Sequence, residues 1–280
     1  MLEFKIASFL PRLYFYFMRA TLKLPLMIAV LAGVLPGASQ AQNEMPVAAV
    51  PVAGVESESV PAGQEFTVLE LFSSQACVFC PRADELFGAL VTVPNVIGFA
   101  CHVDYFDVRT GSLSRPFCTA RQTWYMQALG AGPNYTPQLV VNGALDVIGY
   151  KLDEVTQAIR KAQQNPPLRM TVAKGTGAED DEYRLSWKAQ AVPADNEPAI
   201  LWVMLIDRPH GIEIADGRNK GKQMNYMNIV SDMEDRGDWD RNALEKTIQV
   251  DLQPRHQGFI VIAQGRQTSR ILAAAAYKIP

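Results

Sequence analysis

The 280-residue chain has few of the residues from which many catalytic and metal sites are built. It contains only three histidines and four cysteines, and no Ser/His/Asp arrangement or HExxH segment stands out. His210 and His256 have no partner that the sequence identifies. The segment Gly217–Gln223 is not a phosphate-binding P-loop, because one spacer is missing and Gln223 stands where Ser or Thr is required. We interpret it as a basic hairpin turn, with a docking loop for an acidic partner as the alternative.

An excess of positive charge is also missing. The chain has 26 basic and 29 acidic residues, and four of the basic residues but only one acidic residue lie within positions 1–41. Binding to nucleic acid through phosphate contacts requires the opposite balance, so nucleic acid is not an expected partner. The hydrophobic fraction of 48% is too high for a disordered chain.

Long apolar runs are absent except near the beginning. Leu24–Leu35 is apolar and follows Arg19 and Lys23, but it is shorter than the about 20 residues that a bilayer span needs. Ser39 and Ala41 then supply the small residues of a cleavage site. The pattern predicts a signal peptide over residues 1–41, cleaved near Ala41, with an uncleaved anchor as the alternative.

The predicted cleavage implies a periplasmic or secreted protein whose mature chain does not span a membrane. Disulfides persist in such compartments. Met18 is a second candidate for the start, since Met18–Ala41 alone makes a conventional signal.

Three further regions follow the predicted signal peptide. Residues 42–63 are rich in Pro, Val, Ala and Glu without periodicity and are predicted to be a disordered linker. Residues 64–165 alternate between predicted strands and helices. The strands are Phe66–Phe72, Val96–Val103, Gln138–Val141 and Ala144–Ile148; the helices start at Pro81, cover Thr119–Leu129 and start at Leu152. This order, strand-helix-strand-helix-strand-strand-helix, is that of a minimal α/β thioredoxin-like core.

Residues 166–280 have the pattern of a second, mostly antiparallel β domain of sandwich type. Ala199–Ile206, Phe259–Ala263 and Ile271–Tyr277 are apolar strand candidates separated by turn residues. One helix is expected around Tyr226–Glu234.

A CxxC motif, Cys77-Val78-Phe79-Cys80, lies between the first predicted strand and the first helix. A sulfur at a helix N-terminus is stabilised as a thiolate by the dipole and the free N–H groups. Cys77 is therefore predicted to attack a disulfide, and Cys80 to resolve the mixed disulfide. An inert disulfide clip is the alternative.

Thr136-Pro137 precedes the third predicted strand, at the place where thioredoxin-like proteins have a cis-proline opposite the CxxC. We expect a cis bond here, with the backbone of Thr136 offered to an extended substrate segment. An ordinary trans proline entering a strand is the alternative.

Cys101 and Cys118 are 17 positions apart and leave several pairings open. A structural disulfide is our first interpretation. A second redox pair, two separate thiols, or a zinc site formed by all four cysteines near His102 are the alternatives.

His102 and Asp104 follow the second predicted strand, where they could lie near the cysteine loop and act as auxiliary proton donors or acceptors. Loop capping by Asp104 and simple burial or exposure of His102 are at least as compatible with the sequence. Arg121 and Gln122 are interpreted as loop anchors.

Several ordered segments resemble the secreted bacterial family called domain of unknown function 1223. They are Leu69–Gln75 with Cys80-Pro81, His102–Asp107, Ala120–Gln122, Tyr135–Gly143 and Gly217–Val230. The resemblance implies a thioredoxin-like fold and secretion, but no assigned reaction. Val78-Phe79 departs from the small polar residues usual between the cysteines, and Cys101 and Cys118 are not part of the family pattern.

These observations predict an exported thiol–disulfide oxidoreductase that acts through Cys77 and Cys80 on protein thiols or disulfides, together with a redox partner. This chemistry needs no bound cofactor or metal. The alternative is a non-catalytic binding module of the cell envelope in which the CxxC disulfide is structural.

Overall fold

The computed structural model describes residues 66–106, 112–175, 181–188 and 197–279. Within these ranges the protein is a mixed α/β structure with several antiparallel sheets and few helices. The predicted signal peptide and linker lie outside the described residues. None of the helices in the described ranges is long and apolar enough to span a membrane.

The first half of the described chain contains four strands and three helices. They are β1 Thr67–Ser73, α1 Cys80–Leu90, β2 Val96–His102, α2 Pro116–Leu129, β3 Gln138–Val141, β4 Leu145–Ile148 and α3 Leu152–Ala162. This is the predicted order of elements. The strands form one sheet in the order β2-β1-β3-β4, in which β1 is parallel to β2 and antiparallel to β3.

The central strand β1 is buried along its whole length. Its apolar, β-branched sequence suits a strand that is covered on both faces. The predicted hairpin between β3 and β4 is confirmed, with Asn142 at φ 50° and Gly143 at φ 64°. A Cβ atom at Gly143 would lie 2.2 Å from the carbonyl oxygen of Ser269, so glycine is also required sterically.

Two helices begin at positions that differ from the predictions. Helix α2 starts at Pro116 rather than Thr119, because proline suits the first helical position. Helix α1 starts at Cys80, so the prediction that Cys77 itself stands at the helix terminus is wrong. A turn precedes the helix, closed by the backbone hydrogen bond from Cys80 N to Cys77 O at 3.3 Å.

The second half consists of ten strands. They are β5 Leu168–Arg169, β6 Thr171–Lys174, β7 Glu182–Ser186, β8 Ala199–Asp207, β9 His210–Glu213, β10 Gln223–Tyr226, β11 Val230–Asp238, β12 Glu245–Gln249, β13 His256–Gly265 and β14 Ile271–Lys278. They form a five-stranded sheet β11-β8-β13-β14-β5, a three-stranded sheet β12-β7-β6 and the β9–β10 hairpin.

The helix predicted around Tyr226–Glu234 is wrong. Strand β10 ends at Tyr226, and β11 begins at Val230 and pairs antiparallel with β8. Between them Asn228 has a φ of 50°, a left-handed conformation that interrupts a right-handed helix.

The five-stranded sheet is the middle layer of the described structure. Alternate residues of β8 point to opposite faces: Leu201, Val203 and Leu205 pack with residues of the three-stranded sheet. Met204 and Ile206 pack with residues of β1, β2 and α2. The two halves therefore share a hydrophobic core, while the proposed boundary between residues 165 and 166 remains a prediction.

Candidate functional site

The CxxC motif occupies the connection between β1 and α1, and both of its cysteines are free thiols. Cys80 is fully buried, whereas Cys77 keeps 7% of its surface exposed. The two residues between them are much more accessible, with Val78 41% and Phe79 54% exposed. The geometry thus separates an outer sulfur, at the surface of the loop, from an inner one.

The outer cysteine is held largely as a thiolate at neutral pH. The pKa of the Cys77 thiol is lowered to about 6, chiefly by the hydrogen bond from the Cys80 thiol. Backbone N–H groups of Phe79 and Cys80 also lower this pKa, while burial opposes them. Although Cys77 precedes the helix, its sulfur thus receives the unpaired N–H groups of the helix start.

The inner cysteine has the opposite tendency. Burial raises the pKa of the Cys80 thiol above its ordinary value, and its hydrogen bond to Cys77 raises it further. Cys80 is therefore a thiol when Cys77 is a thiolate, and it must lose a proton before it can attack a disulfide.

A buried acid lies beside this inner thiol. Asp84 is only 5% exposed, and burial raises its pKa to about 8. Its Oδ2 atom has no hydrogen-bond partner among the described residues. The sequence analysis missed Asp84, although its position four residues after Cys80 and three before the buried Phe87 places it on the inner face of α1.

The Thr136–Pro137 segment faces the cysteines, and its peptide bond is cis. Cys77 Sγ lies 3.7 Å from the carbonyl oxygen of Thr136. The segment is held by Gln122, whose Nε2 donates to the carbonyl oxygen of Tyr135 at 2.6 Å and to Gln138 Oε1 at 2.9 Å. Gln122 is thus a loop anchor, as predicted.

Exposed apolar side chains occur on two sides of the cysteine pair. Val78 and Phe79 lie within the motif, and the Phe79 ring stacks on Tyr150 with 5.6 Å between centroids. Tyr105, which follows β2, is 40% exposed, and the two cysteines help to raise its pKa to about 12, although burial is the main cause. Its neighbour Phe106 is 55% exposed. The mouth of the site is therefore apolar and aromatic.

The two predicted auxiliary residues have other contacts. Asp104 pairs with Thr119 of α2: the Thr119 hydroxyl donates to Asp104 Oδ1 at 2.5 Å, and Asp104 N donates to Thr119 Oγ1 at 3.0 Å. His102 is fully buried and packs edge-on against the Tyr226 ring at 5.1 Å between centroids. The contacts of both residues match the structural alternative described above. A role in catalysis for either one stays a prediction.

Cys101 and Cys118 form a disulfide in the structure, which is the first of the interpretations considered for them. The bond ties β2 to α2 within the core shared with the five-stranded sheet. The alternative of a zinc site formed by all four cysteines is wrong, because these two sulfurs are bonded to each other.

The β9–β10 hairpin brings in a residue that the sequence analysis did not identify. Between the strands a 3-10 turn, Gly217–Asn219, carries the buried side chain of Asn219. Asn219 Nδ2 donates to the carbonyl oxygens of Gln75 at 2.9 Å and Cys77 at 2.7 Å. The predicted basic hairpin turn is confirmed, but a contact across more than 140 positions has no local signal in the sequence.

Fold and site together define a mixed α/β protein with a free cysteine pair at a strand-to-helix junction. The family model described as "Protein of unknown function (DUF1223)" matches residues 68–264, and the chain belongs to this family. No curated protein shows significant similarity to the chain.

Two solved structures are similar. Protein AGR_C_4864 from Agrobacterium tumefaciens is 25% identical with a TM-score of 0.65, and the match covers 78% of this chain and 96% of that one. HBP35 of Porphyromonas gingivalis is 14% identical with a TM-score of 0.53, over 78% of this chain and 76% of that one. The second likeness concerns the fold alone.

Proposed function

We propose that this protein is a thiol–disulfide oxidoreductase with a thioredoxin-like core. The strand order β2-β1-β3-β4 and the cis bond before β3 support this assignment of the fold. The observation that carries the function is the asymmetry of the cysteine pair. Cys77 has a lowered pKa of about 6, and Cys80 is a buried thiol in hydrogen-bond contact with it.

The first step is the attack of the Cys77 thiolate on one sulfur of a substrate disulfide. A Cys77–substrate bond forms, the substrate S–S bond breaks, and the second substrate sulfur leaves as a thiolate that takes up a proton from water. Thr136, whose carbonyl oxygen lies next to Cys77 Sγ, would align the extended substrate backbone.

The second step uses the inner thiol. Cys80 gives its proton to the carboxylate of Asp84 and attacks Cys77 Sγ. The Cys77–Cys80 disulfide forms, and the substrate leaves as a thiolate that is then protonated. The substrate has gained two electrons, and the oxidised cysteine pair returns to the dithiol by exchange with a dithiol protein. The reverse sequence oxidises a substrate dithiol.

Proteins are the substrates that the surface favours. The exposed side chains of Val78, Phe79, Tyr105 and Phe106 supply apolar area around an attacking sulfur that is itself only slightly exposed. Such a surface binds a chain segment with apolar residues next to its cysteine, and exchange with a small thiol gains little from it.

We also propose that the protein works in an oxidising compartment, after export. The buried Cys101–Cys118 disulfide supports this location, because structural disulfides are rare where thiols are kept reduced.

The test is exchange with a defined disulfide. The Cys80→Ala variant is mixed with a disulfide-bonded peptide, and mass spectrometry is used to detect a mixed disulfide on Cys77. We expect a long-lived adduct on this variant, rapid release from the unmodified protein, and no adduct on Cys77→Ala. An unmodified protein whose Cys77–Cys80 bond resists both glutathione and dithiothreitol would leave only the binding-module alternative.

A further inference from the structure

The cysteine loop is supported from outside the α/β half, by the β9–β10 hairpin. This hairpin is packed against α1, since Met224 and Tyr226 of β10 belong to the same hydrophobic cluster as Ala83 and Phe87 of α1. Its turn is closed by internal backbone hydrogen bonds, among them Gly221 N to Ile214 O at 2.7 Å. The hairpin is therefore a fixed platform next to the active-site loop.

One side chain of the platform makes the contact. Asn219 is 1% exposed, and both of its Nδ2 hydrogens are used, one on the carbonyl oxygen of Gln75 and one on that of Cys77. Two acceptors fix the orientation of the amide, because a reversed amide would place its oxygen against two carbonyl oxygens. An amide thus holds the loop on both sides of Ala76.

The carbonyl of Cys77 is the critical acceptor. It already accepts the backbone hydrogen bond from Cys80 N that forms the turn before α1. A second donor at 2.7 Å fixes the direction of this carbonyl, and with it the peptide planes that follow. These peptides carry the Phe79 and Cys80 N–H groups that bond to the Cys77 sulfur.

The geometry points to Asn219 as a positioning residue for Cys77: by holding the Cys77 carbonyl, it keeps the loop in the conformation in which the Phe79 and Cys80 N–H groups face the sulfur. The inference rests on the proposed function for its role in disulfide exchange. Asn219 does not contact the reacting sulfur, and it acts through the backbone of the loop.

Removal of the amide should make the thiolate less stable. In Asn219→Ala the two carbonyls lose their donors, and the loop can turn its N–H groups away from the sulfur. In Asn219→Asp, which has nearly the same shape, a carboxylate would face both carbonyls. We expect either change to raise the measured pKa of Cys77 by about one pH unit, which lowers the thiolate fraction severalfold at pH 6.

The experiment titrates the reduced protein by ultraviolet absorbance of the thiolate and by the pH dependence of Cys77 alkylation. The titratable groups beside the sulfur, Cys80, Asp84 and Tyr105, are left unchanged. Asn225→Ala is the matched control, since Asn225 lies in the same hairpin on the exposed side of β10. We expect its pKa for Cys77 to equal that of the unmodified protein.

Thermal unfolding separates positioning from stability. A merely structural role would lower the melting temperature of the Asn219 variants and leave the pKa of Cys77 in the folded protein unchanged, which would overturn the inference. A raised pKa in the folded variants, with an unchanged value in Asn225→Ala, would support it.

The unmodified protein provides a measurement that does not depend on how the variants fold. In isotope-labelled protein, the side-chain amide resonances of Asn219 should titrate with the same midpoint as Cys77. Amide resonances that stay constant through this titration would overturn the inference. These measurements need no substrate, so absence of disulfide exchange would remove the proposed function without deciding the role of Asn219.

Discussion

Arg121 and Glu70 form a salt bridge in the protein interior, with 2.5 Å between Arg121 Nε and Glu70 Oε1 and side-chain exposures of 2% and 1%. Arg121 Nη2 also donates to the Tyr125 hydroxyl and to Gln264 Oε1, both at 3.0 Å. Glu70 lies on β1, which leads into the cysteine loop, and Gln264 lies on β13 of the five-stranded sheet. The bridge therefore connects the sheet below the site to the second half of the structure.

The first prediction concerns this ion pair. Arg121→Met leaves the Glu70 carboxylate buried without its partner and should lower the free energy of unfolding by about 3–5 kcal/mol. Urea denaturation measures the effect. The double variant Arg121→Met/Glu70→Leu, which removes both charges, should recover most of the loss; a double variant as unstable as the single one would refute the explanation.

The second prediction concerns the outer sulfur. The alkylation rate of Cys77 by iodoacetamide should rise with a midpoint near pH 6, the value to which its pKa is lowered from 9.0 by the Cys80 hydrogen bond. Peptide mass spectrometry after quenching identifies the modified cysteine. Cys77→Ser should react slowly at this pH, and a midpoint near the ordinary value of a thiol would contradict the assigned asymmetry.

The third prediction follows from the buried acid. Burial raises the pKa of Asp84 from 3.8 to about 8, so the folded protein keeps a proton that the unfolded chain loses. The stability linked to this proton is complete below about pH 4 and is lost as the pH rises through about 8. Asp84→Asn removes the dependence and should stabilise the protein above pH 8 by on the order of 5 kcal/mol, with little change at pH 4.

Chemical denaturation at a series of pH values tests this difference. Glu85→Gln is the control, because Glu85 is the next residue of the same helix and is not buried. The same Asp84→Asn variant should slow the attack of Cys80 on the mixed disulfide. A stability difference that does not change between pH 4 and pH 8 would show that the carboxyl is not titrating in this range.

The fourth prediction tests the apolar mouth of the site. Phe79→Ser should slow exchange with a disulfide-bonded protein by roughly tenfold, because part of an aromatic contact area is lost. Exchange with oxidised glutathione should change little.

A surface control is available for this comparison. Leu244 is 54% exposed, as is Phe79, and it lies in the second half of the chain. Leu244→Ser should leave both exchange rates unchanged, and each variant should alter stability by less than about 0.5 kcal/mol. An equal slowing of the protein and glutathione reactions by Phe79→Ser would point to a change at the sulfur instead of a binding surface.

Much of the α/β half could be predicted from local patterns. The apolar run of β1, the proline at the start of α1 and the Asn142-Gly143 turn each impose a conformation on a few neighbouring residues, and the structure has all three. The predicted helix around Tyr226–Glu234 failed because its residues pair with β8, which is distant along the chain. Local propensity does not contain that partner.

The sequence by itself determined the chemistry that is available: two cysteines spaced for exchange between a strand and a helix, and a Thr-Pro pair before the third strand. Only the tertiary structure decided which groups surround the sulfurs. It buried Asp84 beside Cys80, joined Cys101 to Cys118 and brought Asn219 to the carbonyl of Cys77. Sequence patterns report which residues share a face of one element, whereas pKa values and loop geometry depend on desolvation and hydrogen bonds supplied by elements that meet only when the chain folds.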